Sequence, residues 1–164
     1  MKFITNLCSM IYRVIYKIKR LLWLFFHPYL WCKNVQINGI PTIQKPEKFK
    51  IGRYVSFNEN VFIQSQGEII LGNNVTLSYG ATILTEGLEL KSYAIRCMEK
   101  ERKHISNNVV IGDGTWIAAN VTVLPGSVIP SGCVIAAGAV VNGKLTEKNA
   151  LYAGVPAKFI RKLD

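Results

Sequence analysis

The sequence contains few of the residues that bind metals or form disulfides. Its 164 residues include four cysteines and two histidines: Cys8, Cys32, Cys97, Cys133, His27 and His104. The cysteines form no CxxC pair and none lies at metal-ligand spacing from a histidine, so we expect no metal site. Their spacing indicates no disulfide framework either, which favours a reducing compartment.

Acidic residues are absent from positions 1–34. This segment carries much of the formal net charge of +10, which predicts contact with an anionic surface. Its longest stretches without a charge, residues 3–12 and 21–32, fall short of the roughly 20 residues that a membrane-spanning helix needs. No small-residue cleavage site follows, which argues against a secretory signal peptide. No nucleic-acid recognition module accompanies the basic residues, so we expect no nucleic-acid partner.

The strongest pattern is a repeat of six residues over positions 105–146. The first position of each block is β-branched: Ile105, Ile111, Ile117, Val123, Ile129, Ile135 and Val141. Only one of the residues at the fifth position is large, in the series Val109, Thr115, Val121, Ser127, Cys133, Ala139 and Leu145. A period of six fits neither an α-helix nor a simple strand. It is typical of a parallel β-helix, in which stacked coils bury the branched residues in a central bore.

The repeat extends back along the chain through Ile37, Ile43, Ile51, Phe57, Ile63, Leu71, Leu77 and Ile83. Two longer gaps, after Ile43 and after Ile63, fall on the same corner of successive coils. The only long interruption, residues 87–106, leaves from that corner, and long loops inside repetitive scaffolds are usually functional or disordered. We therefore predict a β-helix over residues 35–146 with this loop inserted, and a short C-terminal extension over 147–164.

Residues 1–34 are expected to begin with an amphipathic helix that ends near His27, because Pro28 follows. Its polar residues recur at spacings of three and four and form one stripe: Lys2, Asn6, Ser9, Arg13, Lys17 and Arg20. An apolar body with a narrow basic stripe is typical of a helix lying in a membrane interface. A second interpretation stays open, in which the helix caps the end of the β-helix or packs on a neighbouring subunit.

Two stretches resemble a known family. The run IGDGTWIAANVTVLPGSVIPSGCVIAAGAVV and the later AGVPAKFIRKL are similar to the hexapeptide-repeat acyltransferases, and most of all to their sugar and polysaccharide O-acetyltransferases. The resemblance covers residues 51–162. It implies an all-β, left-handed parallel β-helix, a homotrimer with active sites between subunits, and acetyl-CoA as the donor.

Acetyl transfer to a hydroxyl needs a general base, because an alcohol is a weak nucleophile, and imidazole titrates near neutral pH. His104 lies where the loop rejoins the scaffold and is our candidate base. Glu86 or Glu89 would orient its ring. Many relatives carry their base in a Thr-Gly-Ser-His-like stretch at the start of the loop, but residues 85–89 contain no histidine. Either the base has moved to His104 or the chain is inactive.

The resemblance also implies where the substrates bind. Trp116 is expected to point outward and to wall the acceptor site. Acetyl-CoA would lie against the later coils and the turn that follows them, at Ala119, Ala137, Gly138, Pro156, Ala157, Lys158 and Arg161. The first three of these would line the pantetheine arm. Lys158 and Arg161 are suitably basic for the phosphates of the nucleotide.

We therefore expect an O-acetyltransferase that moves acetyl from acetyl-CoA to a hydroxyl of a glycan or lipid-linked sugar in surface polysaccharide synthesis. It would be cytoplasmic and peripheral on the inner face of the cytoplasmic membrane. Two alternatives stay open: an N-acetyltransferase for an amino sugar nucleotide, and a noncatalytic trimeric scaffold. A carbonic anhydrase on the same scaffold is disfavoured, because its three-histidine metal site cannot be formed from two histidines.

Overall fold

The computed structural model of this chain describes residues 2–90 and 103–164. It begins with one long helix, α1 (Lys2–Phe25), and a 3₁₀ turn (Pro28–Lys33). A solenoid of short parallel strands follows, with a second 3₁₀ turn at Pro46–Lys48. The predicted parallel β-helix with one N-terminal helix is confirmed. Among the described residues, no helix is both long enough and apolar enough to cross a membrane.

The solenoid has three faces. The first face contains β1 (Gln36–Ile37), β4 (Ser56–Phe57), β7 (Thr76–Leu77), β12 (Trp116–Ile117), β15 (Val134–Ile135), β17 (Ala150–Ala153) and β18 (Lys158–Lys162). The second contains β2 (Thr42–Gln44), β5 (Phe62–Gln64), β8 (Thr82–Leu84), β13 (Thr122–Val123) and β16 (Val140–Val141). The third contains β3 (Phe49–Ile51), β6 (Ile69–Leu71), β11 (Val109–Ile111) and β14 (Val128–Ile129). Each strand pairs in parallel with the equivalent strand of the next coil, except β18, which is antiparallel to β17.

The bore holds the branched residues that the repeat predicted. Ile117 and Ile135 are paired in register on the first face and have no solvent exposure. Complete burial of one such side chain contributes about 1.5–3 kcal/mol. The small fifth positions are also buried, and the polar ones are satisfied: Ser127 Oγ donates to the Val141 carbonyl at 3.1 Å. Cys133 is buried as well, and burial raises the pKa of its thiol, which disfavours the reactive thiolate.

The corner between the second and third faces is called the loop corner here. It holds the two longer gaps, at residues 45–48 and 65–68, and then a hairpin of β9 (Glu86–Leu88) and β10 (His104–Ser106). The hairpin thus leaves the solenoid at the loop corner. The placement of Ile105 in the repeat was wrong: it lies in β10, where it is 37% exposed, because the coil resumes only at Val109. The tip of the loop, residues 91–102, lies outside the described residues.

The two ends of the solenoid are covered differently. The C-terminal part of α1 packs Trp23 and Leu24, with Tyr29, against the core beside Leu30, so this segment caps the first coil as one of the two interpretations expected. At the other end, the stretch expected as an extension supplies β17 and β18 to the first face.

Candidate active site

A groove of about 790 Å³ runs along the outer side of the first face. It follows the corner between the first and second faces, called the groove corner here. In its half nearer α1 the lining is polar and aromatic, with Asn38, Asn58, Glu59 and Tyr79. In the other half the lining is formed by small side chains: Ala118, Ala119, Ala136 and Ala137. The groove thus has one end suited to hydrogen bonding and one suited to a narrow, extended chain.

Trp116 lies between these two halves. Its side chain points outward from β12, and the residue is 50% exposed. The indole Nε1 donates a hydrogen bond of 2.8 Å to Ser78 Oγ of the preceding coil. This contact holds the ring along the groove, so Trp116 forms part of its wall.

The predicted donor residues lie at or near the small-residue half. Ala119 and Ala137 both line the groove, and the Gly138 N–H donates to the Ala119 carbonyl at 2.9 Å. Gly138 has a φ of 71°, a conformation that glycine adopts without steric cost. The backbone at this corner is therefore free of side-chain bulk over two coils.

The basic residues follow the groove at its C-terminal end. In the antiparallel pair of β17 and β18, Arg161 lies opposite Leu151, which lines the groove, and Lys158 lies opposite Ala153. Both basic residues are exposed. The turn between the strands contains a cis Val155–Pro156 bond. It is tied to the second face by the Ala157 N–H, which donates to the Val140 carbonyl at 2.8 Å.

His104 lies on the hairpin and not in the groove of its own chain. Its Nδ1 is 3.0 Å from Glu86 Oε1 across the two strands, and its side chain is 61% exposed. Gln64 Nε2 donates to the other oxygen of Glu86 at 3.3 Å. Of the two acids predicted to orient the ring, Glu86 is thus the one in contact with it, whereas Glu89 pairs with Lys103 at 3.3 Å.

The base of the hairpin is fixed by Thr85, which has no solvent exposure. Its hydroxyl donates to the Gln64 carbonyl at 2.6 Å and accepts from the Gly67 N–H at 3.0 Å. The Asn107 N–H donates to the Thr85 carbonyl at 2.8 Å and closes the two strands. A buried, fully bonded threonine therefore sets where the imidazole leaves the scaffold.

Within one chain the imidazole and the groove lie at different corners. The groove corner precedes β8 and the hairpin follows it, so the second face separates them. In extended chain, the four residue-to-residue steps from Thr82 to Glu86 span about 13 Å. The predicted site residues are therefore brought into two groups: His104 with Glu86, and Trp116 with the donor residues.

The second histidine has a packing role. The His27 ring stacks on Trp23 with centroids 3.8 Å apart, and its Nδ1 lies 2.6 Å from the Trp23 carbonyl. No group of three metal-ligating side chains occurs in residues 2–90 and 103–164.

Three groove residues were missed by the sequence reasoning. Asn38, Asn58 and Ser78 recur every 20 residues, directly after the inward residue of each first-face strand. Asn38 Nδ2 donates to Asn58 Oδ1 at 3.2 Å, and Asn58 Nδ2 donates to the Leu77 carbonyl at 3.0 Å. The recurrence of small polar residues at the length of one coil was the signal that would have indicated them.

Comparison with known proteins agrees with this architecture. The family model described as bacterial transferase hexapeptide (six repeats) matches residues 108–143. The putative lipopolysaccharide biosynthesis O-acetyl transferase WbbJ of Escherichia coli (strain K12) is 35% identical over 131 residues, which cover 80% of this chain and 59% of that protein. The chain thus spans about 60% of the length of the curated relatives that it matches first.

Solved structures show the same fold. The hexapeptide-repeat containing acetyltransferase VCA0836 of Vibrio cholerae superposes with a TM-score of 0.71 at 26% identity, over 80% of this chain and 72% of that one. Its complex with acetyl coenzyme A matches with a TM-score of 0.65 at 24% identity, over 85% and 76% of the two chains. The six-residue coils, the family model and these relatives agree, and over most of its length the chain is similar to the hexapeptide-repeat acetyltransferases.

Proposed function

We propose that this protein is an acetyl-CoA-dependent O-acetyltransferase that acts on a hydroxyl of a glycan or lipid-linked sugar in surface polysaccharide synthesis. The observation that carries the proposal is the contact of 3.0 Å between His104 Nδ1 and Glu86 Oε1. It gives the chain an oriented imidazole although residues 85–89 contain no histidine. The name of the Escherichia coli relative, a lipopolysaccharide biosynthesis O-acetyl transferase, supports the choice of acceptor class.

His104 acts as the general base. Because Nδ1 faces a carboxylate, it carries the ring proton and leaves Nε2 as the acceptor. Nε2 takes the proton of the acceptor hydroxyl while its oxygen attacks the thioester carbonyl. The tetrahedral intermediate then expels the thiolate of CoA, and the imidazolium returns the proton to that sulfur. Glu86 stabilises the imidazolium and keeps the ring in this orientation.

The small-residue half of the groove holds acetyl-CoA. Ala119 and Ala137 leave room for the pantetheine arm along the groove corner. Lys158 and Arg161, together with the turn at Pro156 and Ala157, lie beyond its end and bind the phosphates of the nucleotide. Arginine and lysine are common ligands of phosphate. The complex of VCA0836 with acetyl coenzyme A supports this donor.

The polar half of the groove receives the acceptor. Asn38 and Asn58 are held by their amide hydrogen bonds and retain further donors and acceptors. Glu59 offers an exposed carboxylate, and Tyr79 and Trp116 offer ring surfaces. A few fixed polar groups beside aromatic surface suit a ligand rich in hydroxyls, such as a sugar.

The working enzyme is a homotrimer. In one chain His104 leaves from the loop corner and the groove follows the groove corner, so neither is complete alone. When copies associate around a cyclic axis, the hairpin of one chain covers the groove of its neighbour. The neighbouring subunit then buries the His104 side chain, which is 61% exposed in the single chain.

The reaction takes place at the inner, cytoplasmic face of the cytoplasmic membrane, where a lipid-linked acceptor would be held. The basic, acid-free segment 1–34 supports this location.

The test is release of CoA from acetyl-CoA in the presence of a panel of hydroxyl sugars and amino sugars, with His104→Ala alongside. Acetylation of a hydroxyl that depends on His104 supports the proposal. Transfer to amino sugars alone would assign an N-acetyltransferase, and turnover unchanged in His104→Ala would remove the base from the mechanism. No turnover with any acceptor, in a protein that also fails to bind acetyl-CoA, would leave a noncatalytic scaffold.

A further inference from the structure

Helix α1 has two different sides. One side faces the solenoid: Tyr16 Oη donates to the Asn38 carbonyl at 2.9 Å, and Arg20 Nη1 donates to the Ile37 carbonyl at 3.3 Å. At 100° per residue, the opposite side presents Leu7, Ile11, Ile15, Ile18, Leu22 and Phe25. These six side chains are between 42% and 65% exposed. A row of large apolar residues thus runs along α1 from Leu7 to Phe25 and faces away from the fold.

Capping of the solenoid does not account for this row. The first coil is already covered by Trp23 and Leu24 on the inward side of α1, and by Tyr29, which follows the helix. Monomeric proteins rarely expose contiguous apolar surface of this extent, and such surfaces mark interaction sites. The apolar row therefore has a partner other than the solenoid of its own chain.

The charges around the row identify the kind of partner. Lys17 and Lys19 lie on its two edges in the helical projection, and residues 1–34 contain no acid. A second copy of α1 would bring the same basic residues together with no carboxylate to pair them. An anionic bilayer instead places the apolar row among the acyl chains while long lysine side chains reach the headgroups.

We propose that α1 binds an anionic lipid bilayer as a helix lying in the plane of the interface. Because its apolar row points away from the end of the solenoid, the coils stand end-on above the membrane. In a cyclic trimer whose axis runs along the solenoids, all three helices lie on the same side. Three weak contacts then act together, which strengthens binding without any new interaction.

Flotation of the full chain with lipid vesicles tests this directly. One set of vesicles contains equal parts of phosphatidylcholine and phosphatidylglycerol, and the other contains phosphatidylcholine alone. We expect binding to the first set, weakened about a hundredfold by the double substitution I15Q and I18Q. Replacement of Lys17 or Lys19 by Gln should weaken it about fivefold each. Leu90→Gln, at another exposed apolar residue, is the matched control and should bind as the unaltered protein does.

Circular dichroism and the unfolding temperature of each variant verify folding, which is expected to persist because the substituted side chains are exposed. Equal binding of I15Q/I18Q and the unaltered protein would overturn the proposal, as would equal binding to both sets of vesicles. A change of oligomeric state in I15Q/I18Q, without vesicle binding by either protein, would assign the row to a second copy. Flotation is measured without turnover, so its failure is distinguishable from failure of the acetyl-transfer proposal.

Discussion

His104 lies directly opposite Leu88 in the register of the hairpin, and its imidazole turns towards Glu86 at 3.0 Å. Leu88 belongs to residues 85–89, the stretch in which the family resemblance led us to look for a histidine. His104 thus lies on the neighbouring strand, at the position paired with Leu88. A histidine on either strand of this hairpin would be positioned by the same buried residue, Thr85, which fixes the base of the hairpin.

Glu86→Gln is predicted to lower kcat about tenfold or more, because the ring loses the carboxylate that orients it and stabilises its charged form. The KM for acetyl-CoA should stay unchanged, since Glu86 contacts the His104 ring and is not one of the residues that line the donor groove. Steady-state release of CoA with a hydroxyl acceptor measures both constants. Glu89→Gln is the control, because Glu89 pairs with Lys103. Equal losses in the two variants would contradict a specific role of Glu86.

Ala137→Leu is predicted to weaken acetyl-CoA binding at least about tenfold, because the larger side chain fills the groove corner where the pantetheine arm lies. The unfolding temperature should change little, since Ala137 is exposed. Isothermal titration with acetyl-CoA gives the affinity. Val128→Leu enlarges a side chain on the third face, outside the groove, and should bind as before. Unaltered affinity in Ala137→Leu would place the donor elsewhere.

The double substitution K158A and R161A is predicted to weaken acetyl-CoA about tenfold or more but to leave acetyl-pantetheine unaffected, because only the former carries nucleotide phosphates. Competition binding with the two donors separates these effects. Lys148→Ala removes another exposed basic residue and serves as the control. A similar loss for both donors would mean that β18 supports the fold and does not bind phosphate.

Tyr29→Phe is predicted to stabilise the protein by about 1 kcal/mol at neutral pH, because the Tyr29 hydroxyl is buried without a hydrogen-bond partner among the described residues. Burial also raises the pKa of Tyr29 from 10.0 to about 12, so the folded state holds this proton more tightly than the unfolded chain. Ionisation of Tyr29 therefore does not change the free energy of unfolding below about pH 10, but it lowers that free energy as the pH rises towards 12.

Thermal unfolding between neutral and strongly alkaline pH, with and without Tyr29→Phe, measures both effects. The alkaline loss should be smaller in the variant. Tyr54→Phe, at an exposed tyrosine, should reproduce neither the gain nor the change with pH. If Tyr29→Phe unfolded at a lower temperature, the hydroxyl would have to make a stabilising contact in the assembled protein.

The scaffold was predictable because burial in a β-helix is periodic and local. A branched residue every six positions and small residues at the fifth position are requirements of the bore, and they hold from Ile111 to Val141. Ile105 matched the period without lying in a coil, since spacing alone does not show where the backbone leaves the stack. The hairpin leaves from the corner that is already widened at residues 45–48 and 65–68.

The site was less predictable because it depends on neighbours that are distant along the chain. The contact between His104 and Glu86 is set by the register of the hairpin, which no local pattern specifies. Asn38, Asn58 and Ser78 meet only because coils of 20 residues stack in register. Trp116 and Ala137 were predicted from the family resemblance, and in the structure both line the groove.

Co-expression of His104→Ala with a double groove variant, A119L and A137L, tests whether the site is shared between subunits. Each variant alone is predicted to be nearly inactive, the first for want of a base and the second for want of a donor site. In mixed trimers an intact hairpin can face an intact groove only when they come from different chains. Each mixed cyclic trimer then contains one intact site of three, so purified mixed trimers should regain about a third of the activity.

Different affinity tags on the two variants allow mixed trimers to be purified before CoA release is measured. Mixed trimers as inactive as the parents would mean that His104 and the groove of the same chain act together. That outcome would require the hairpin to fold back over the second face, from the loop corner to the groove corner, which these two features do not do in the single chain. Restored activity, by contrast, follows directly from their separation by β8.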